Sequence, residues 1–341
     1  RIRYMLALFI SLHVLNAQTS VNPDISVVGQ LAGNYAGEAL DLNGASVELV
    51  FQGYVNPFAR ADVFLHKHMD GESMEVEEAV LSIERGLPFG LALRAGKLRP
   101  DFGKINRQHL HTFPQIALPI PVVQLLGEEK WGASGLETSW LLPFPWYNNL
   151  SIAYLQNGIS EHHHRATDGE EPEAESPGAA ISARYSTFFD LSSITHLEMG
   201  LSSYQLLDGP DVKILILDVK YKWRPDKYRS LFLQTELFHR SANSHLDDGL
   251  LEQHPQINAG YMLVNYQLKK VWNAGVIADF SSNLDDAEYQ SVGLFLGYSP
   301  AEETTILRLL IKQEQHGEED SQLLIQTQLL WSLGPHKAHQ F

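Results

Sequence analysis

From Ile25 to Phe341 the chain runs in short segments of alternating apolar and polar residues, about sixteen in all, separated by polar breaks. A period of two marks a strand with two different faces. The first eight predicted strands are Ile25–Tyr35, Ala45–Val55, Ala59–His68, Met74–Arg85, Leu91–Arg99, Gly132–Leu142, Leu150–Gly158 and Ala179–Phe189. The second eight are His196–Leu206, Val212–Trp223, Ser230–Arg240, Gln256–Leu268, Trp272–Ser281, Tyr289–Tyr298, Thr305–Glu314 and Gln322–Leu333. In Thr305–Glu314, Leu307, Leu309 and Ile311 oppose Arg308, Leu310 and Lys312. Charges on one face require water on that side.

The breaks alternate as well. Short turns such as Asn56-Pro57-Phe58 and Lys269-Lys270-Val271 are interleaved with longer loops, among them Pro100–Trp131, Ile159–Gly178 and Ser241–Pro255. Short turns on one rim, long loops on the other and an even strand count predict an all-β fold. It is a transmembrane antiparallel up-and-down β-barrel of about 16 strands. Aromatic residues near strand ends, including Trp140, Trp146, Phe188, Tyr228 and Trp331, suit an interfacial girdle.

The first residues differ. Arg1 and Arg3 precede an apolar stretch, Tyr4–Leu15, that ends at Asn16-Ala17-Gln18. This reads as an export signal over residues 1–17, leaving residues 18–341 as the barrel. No later run approaches the roughly 18 apolar residues of a membrane helix. The chain has no cysteine, which removes disulfides and thiolate metal sites. Its formal charge of −16 repels nucleic acid and favours cations near its surface.

The segment Pro100–Trp131 is too long for a plain hairpin, and loops of this length usually carry function. Pro114, Pro119 and Pro121 stand among Ile116, Leu118, Ile120, Val122 and Val123. Such a segment packs better against an inner wall than in water, so it is expected to fold inward as a constriction. Parity places Arg94, Arg184, Glu198, Asp218, Lys220, Lys222, Glu236, Asp279, Arg308 and Lys312 on the lumen face, as pore-lining charges.

Histidine is the sharpest candidate chemistry. Of fifteen in the chain, eleven fall in expected outer loops or the adjoining strand ends. His66, His68, His109, His111, His162, His163, His164, His245, His254 and His316 are the candidate metal ligands, with His239 nearby. Neutral imidazole suits zinc, copper and nickel. Glu161-His162-His163-His164, followed by Asp168, Glu170, Glu171, Glu173 and Glu175, offers nitrogen and oxygen donors in one loop. A polar loop tolerates histidine without any metal, and no spacing defines a closed structural zinc site. There is no Gly-x-Ser-x-Gly elbow, His-Glu-x-x-His or phosphate-binding glycine loop, so no enzyme is expected.

Two stretches resemble known proteins. Glu77-Glu78-Ala79-Val80-Leu81 and Leu93-Arg94-Ala95-Gly96-Lys97-Leu98-Arg99-Pro100-Asp101-Phe102-Gly103-Lys104-Ile105-Asn106 resemble outer-membrane porin-like proteins, including phosphate-selective porins. His109-Leu110-His111 through Gly127-Glu128-Glu129, with the ending Ser332-Leu333-Gly334-Pro335-His336-Lys337-Ala338-His339-Gln340-Phe341, is similar to a second group. That group is labelled zinc-regulated TonB-dependent outer membrane receptor. The resemblance implies a barrel in the outer membrane of a Gram-negative bacterium, a tie to zinc, and assembly signalled by Phe341 to the barrel assembly machinery. Receptors of the TonB type have 22 strands and a plug, more than 341 residues supply.

The reading is therefore an outer-membrane channel for passive diffusion of small solutes. Divalent metal, zinc foremost, is captured by a His- and carboxylate-rich outer vestibule. The alternative is a non-transporting surface barrel that displays metal-binding or adhesive loops. No cofactor is required, Zn2+ is expected to bind weakly, and outer-membrane lipid surrounds the barrel. The porin resemblance allows a homo-oligomer.

Overall fold

The computed structural model describes residues 23–35, 40–69, 73–159, 177–245, 251–253, 255–284, 287–301 and 304–334. The expected signal over residues 1–17 and the terminal Phe341 lie outside these. Seventeen strands follow in order. They begin with β1 (Asp24–Tyr35), β2 (Leu40–Asn56), β3 (Ala59–His68), β4 (Glu75–Ile83), β5 (Leu91–Leu98) and β6 (Ala133–Leu141). Next come β7 (Tyr147–Leu155), β8 (Ala180–Ser192), β9 (Thr195–Leu206), β10 (Asp211–Trp223), β11 (Ser230–His245) and β12 (Leu251–Gln253). The last are β13 (Ile257–Leu268), β14 (Trp272–Leu284), β15 (Ala287–Ala301), β16 (Thr305–His316) and β17 (Gln322–Leu333).

Each strand pairs antiparallel with its neighbours in the chain, and β1 closes on β17 from Val27↔Leu333 to Tyr35↔Ile325. The short β12 only lengthens the end of β11, which pairs directly with β13. Sixteen strands thus form the closed wall. Closure leaves no free edge, the condition for a sheet in lipid. One helix, α1 (Ile120–Leu126), lies in the long β5–β6 connection.

The two faces are reversed relative to a soluble protein. Leu201, Leu217 and Leu294 are 55, 45 and 63% exposed on the outside, whereas Arg184, Asp218, Glu236 and Lys312 are buried on the inside. Apolar surface facing outward all round a closed barrel is the pattern of a wall built to stand in lipid. The hydrophobic core lies within the barrel. Phe102, Ile105, Phe113, Val122, Leu125 and Leu126 of the β5–β6 connection pack against Ile214, Ile216, Phe238, Tyr261 and Leu263 of the inner wall. That packing explains the apolar residues on lumen-facing positions, such as Phe238 and Leu310.

Several strands are longer than their alternation. β11 continues past Arg240 to His245, and β2 begins at Leu40 rather than Ala45. Backbone pairing there outlasts the apolar band, in stretches such as Ser241-Ala242-Asn243-Ser244 whose residues are small or polar. β7 is displaced toward the turn, beginning at Tyr147 and ending at Leu155. Two expected girdle aromatics, Phe188 and Tyr228, face the lumen instead.

Gly96 in β5 is required where it stands. Its φ is +129°, and a Cβ there would collide with the carbonyl oxygen of Ala79 on β4. Gly96→Ala is expected to cost about 1–3 kcal/mol from backbone strain, with the collision added. The check is the urea midpoint of the refolded barrel, and an unshifted midpoint would contradict the strain.

Candidate functional site

The β5–β6 connection enters the barrel and is bound to the wall at points spread around most of its circumference. Near β6, the Asp101 amide donates to Glu137 Oε2 at 2.5 Å. Asp101 also meets Arg184 Nε of β8 at 3.3 Å and accepts from Ser151 Oγ of β7 at 3.2 Å. Gly103 N–H donates to Ser202 Oγ of β9 at 3.0 Å. On β11, Glu236 accepts the amides of Lys104 and Ile105, each at 3.0 Å, and the Tyr261 hydroxyl at 2.6 Å. Asp279 of β14 accepts the Ile120 amide at 3.3 Å, and Arg308 of β16 donates to the His111 carbonyl at 3.3 Å. Asn106 ties the two ends of the connection, donating to Pro100 O and Trp131 O and accepting Trp131 N–H, each at 3.0 Å. The loop Pro100–Trp131 therefore folds inward, as expected. Pro119 caps α1, Pro121 is buried in its first turn, and Pro114 lines the cavity.

A water-accessible cavity of about 1680 Å³ extends from this loop to the turn rim. Of the expected lumen charges, Arg94, Arg184, Glu198, Lys220, Lys222 and Arg308 line it. Asp218, Glu236, Asp279 and Lys312 point inward but are buried and do not line it. Asp218 pairs with Arg184, with oxygen–nitrogen distances of 2.5 and 2.9 Å, and Asp279 meets Lys312 at 3.2 Å. In all, eleven lysines and arginines line the cavity against six carboxylates. The whole chain, by contrast, has 25 bases and 41 acids, so the cavity lining does not share the acidic balance of the sequence.

The basic residues are not spread evenly. Arg94 and Arg184 of the wall and Lys104 of the loop each hold a carboxylate. Toward the turn rim stand Lys220, Lys222, Lys227, Lys269 and Lys270. Lys227 and Lys270 lie 4.9 and 5.4 Å from the ring centre of Tyr228, and Lys220 lies 5.1 Å from that of Phe232. Rings so placed stabilise cations without neutralising them. Lys227, Lys269 and Lys270 are in turns, where alternation gives no facing signal, and sequence reading missed them.

On another side of the loop, three expected metal ligands fall in two separate donor groups, His66 and His68 with Glu129 and His109 with Glu48 and Glu77, and His111 stands beside the second. His66 and His68 project from β3, and their rings meet edge-on at 4.5 Å. His109 and His111 come from the loop, with ring centres 5.7 Å apart. The carboxylates that join them were not anticipated. Glu48 lies opposite His66 in the β2–β3 register, and Glu129 Oε1 is 4.0 Å from His68 Nε2. Glu77 and Glu78 are adjacent in β4, and both reach His109 because the β3–β4 register shifts there, leaving Glu77 without a partner residue. Such bulges re-aim side chains, and a Glu-Glu pair interrupting alternation is the sequence signal that could have located one.

His109 Nδ1 lies 3.4 Å from Glu48 Oε2 and 3.3 Å from Glu77 Oε2, and its Nε2 lies 3.4 Å from Glu78 Oε2. Burial disfavours a charged ring, but contacts with Glu48, Glu77 and Glu78 outweigh it and push the His109 pKa up to about 10. Among the other histidines, His316 packs edge-on against Tyr289 at 4.9 Å, and His239 Nδ1 is 2.9 Å from Asn258 Oδ1. His162, His163, His164 and His254 lie outside the described residues, as does the side chain of His245.

No family model matches the chain. Over 349 aligned residues it is 24% identical to an uncharacterised protein of Aquifex aeolicus, covering 91% of this chain and 72% of that one. Among solved structures it is similar to an anion-selective porin from Comamonas acidovorans, with a TM-score of 0.57 at 13% identity, over 92% of this chain and all of that one. It has the fold of the porins. It is similar also to OmpT of Vibrio cholerae in a trimer form, with a TM-score of 0.56 at 10% identity, covering 92% of this chain and 100% of that one. For the channel DcaP of Acinetobacter baumannii the TM-score is 0.55 at 12% identity, over 92% and 99% of the two chains. The TonB receptor label of the resembling group is not supported, since the wall has sixteen strands and the structural neighbours are porins.

Proposed function

We propose that this protein is a passive diffusion channel of a Gram-negative outer membrane, and that its lumen favours small anions. The observation that carries this reading is the cavity lining of eleven basic against six acidic side chains. In a confined, low-dielectric passage such an excess raises the local concentration of counter-ions. The Comamonas neighbour is described as anion-selective, which is consistent with this charge balance. Divalent metal as freely permeating cargo fits it less well, because a dication would cross five net positive charges. A cavity of this size also argues against a barrel that only displays loops. A homo-oligomer belongs to the reading, since one neighbour is described in a trimer form. No bond is made or broken, and transport follows the gradient.

The test is the reversal potential of the refolded protein in a planar bilayer separating two KCl concentrations. It should take the sign of the chloride equilibrium potential. The preference should shrink near 1 M salt, where the Debye length falls to about 3 Å from about 10 Å at 0.1 M. A potential of the potassium sign at low salt would overturn the proposal.

A further inference from the structure

We infer that Glu48, Glu77 and His109 form a binding site for one first-row divalent metal ion, which would clamp the constriction loop to β2 and β4. The site goes beyond the channel reading and does not depend on whether the barrel conducts.

Three separate elements supply the donors, and their spacing is that of a coordination shell. Zinc takes nitrogen and carboxylate oxygen at about 2.0–2.2 Å, so neighbouring ligand atoms of a tetrahedral site lie about 3.4 Å apart. Here Nδ1 of His109 is 3.4 and 3.3 Å from the two carboxylate oxygens, whereas hydrogen-bonded nitrogen and oxygen stand at about 2.7–3.2 Å. Glu77 Oε2 and His109 Nδ1 are buried and make no hydrogen bond among the described residues, and neither does Glu48 Oε1, the oxygen turned to His111. Buried polar atoms without hydrogen bonds are rare, and two of the nine among the described residues, Glu77 Oε2 and His109 Nδ1, face each other here at 3.3 Å. His109 and Glu48 are each 9% exposed.

The surroundings orient the donors as a metal site requires. The other imidazole nitrogen of His109 faces Glu78 Oε2 at 3.4 Å. A carboxylate behind a ligating histidine sets its tautomer and ring angle. Glu78 Oε1 is held by the Arg99 amide at 2.8 Å, and Glu77 Oε1 by the Arg99 guanidinium, which leaves Oε2 of each turned to the histidine. Phe64 stacks on the His109 ring, with centroids 4.1 Å apart. His111 Nδ1 lies 3.5 Å from Glu48 Oε1, beside the three donors and outside their group. His109 and His111 line the cavity, so an ion reaches the site through water. Nitrogen and oxygen donors without sulfur suit Zn2+, Co2+ or Ni2+ over softer ions.

The experiment titrates Co2+ into refolded, EDTA-stripped full-length protein carrying His162→Ala, His163→Ala and His164→Ala, so that the histidine-run loop does not contribute. One equivalent should bind, develop visible absorption and be displaced by Zn2+. In that background His109→Gln and Glu48→Gln should each lower affinity at least tenfold. Glu78→Gln should lower it by about 10–100-fold through the outer shell. Absence of stoichiometric binding, or binding unmoved by His109→Gln and Glu48→Gln, would overturn the inference. If those variants do not fold, zinc-edge X-ray absorption of the folded background protein decides. A shell containing imidazole supports the site, and an all-oxygen shell overturns it.

Discussion

Replacing residues 107–130 with two glycines should raise single-channel conductance severalfold. Asn106 and Trp131 already touch, through two 3.0 Å hydrogen bonds between the Asn106 side chain and the Trp131 backbone, so the new link spans almost no distance. The excised piece contains α1, the His109 region and the contacts to Asp279 and Arg308. Asp101, Phe102, Gly103, Lys104 and Ile105 remain and keep their contacts with Glu137, Ser202 and Glu236. Ile216 therefore stays covered in part, and the wall of sixteen paired strands is untouched. A barrel of this strand number is wide enough for an aqueous channel once nothing crosses it. Circular dichroism should show unchanged strand content, and the bilayer recording should show the larger conductance. Unchanged conductance from a folded variant would mean that the loop does not limit flow.

The combined variant Lys220→Glu, Lys222→Glu, Lys269→Glu and Lys270→Glu is expected to reverse ionic selectivity. Four reversals convert a lining excess of five positive charges into an excess of three negative ones. Lys269 and Lys270 stand in a turn, and Lys220 and Lys222 lie at the turn end of β10. The effect should be largest in dilute salt, where the Debye length of about 10 Å at 0.1 M spans much of the passage. Reversal potentials measured across a KCl gradient should change sign between the parent protein and the variant. Retention of the parent sign would place the selectivity elsewhere.

Much of the barrel was legible because membrane strands obey one simple rule. Ala59–His68 and Gln322–Leu333 are observed with the predicted bounds, since alternation there begins and ends with the pairing. Where polar pairing continues beyond the apolar band, as at the end of β11, hydrophobicity carries no boundary signal. Parity assigned Asp279 and Lys312 to the inner face, but it could not show that a loop would cover them. Lys269 and Lys270 went unread because a turn has no parity. The histidine cluster was half visible. His66 and His68 share a face by spacing, but Glu48 joins them through strand register, and Glu77 through a bulge, features that only pairing between strands reveals. The short α1 was hidden because proline at its start and apolar residues throughout do not separate a buried helical turn from extended chain.

The seat of the loop also sets an order on biogenesis. The loop leaves the ribosome about a third of the way along the chain, yet its partners are made later. His111 is held by Arg308, 197 residues downstream, and Ile120 by Asp279, 159 residues downstream. Contacts so distant in sequence form late, because the closure entropy of the intervening chain must be overcome first. The apolar faces of Phe102, Phe113 and Leu125 therefore have no complete shelter until β14 and β16 have joined the wall. Zipping the last strands and stowing the loop become one event, and the nascent chain has to be kept from aggregation until that event occurs.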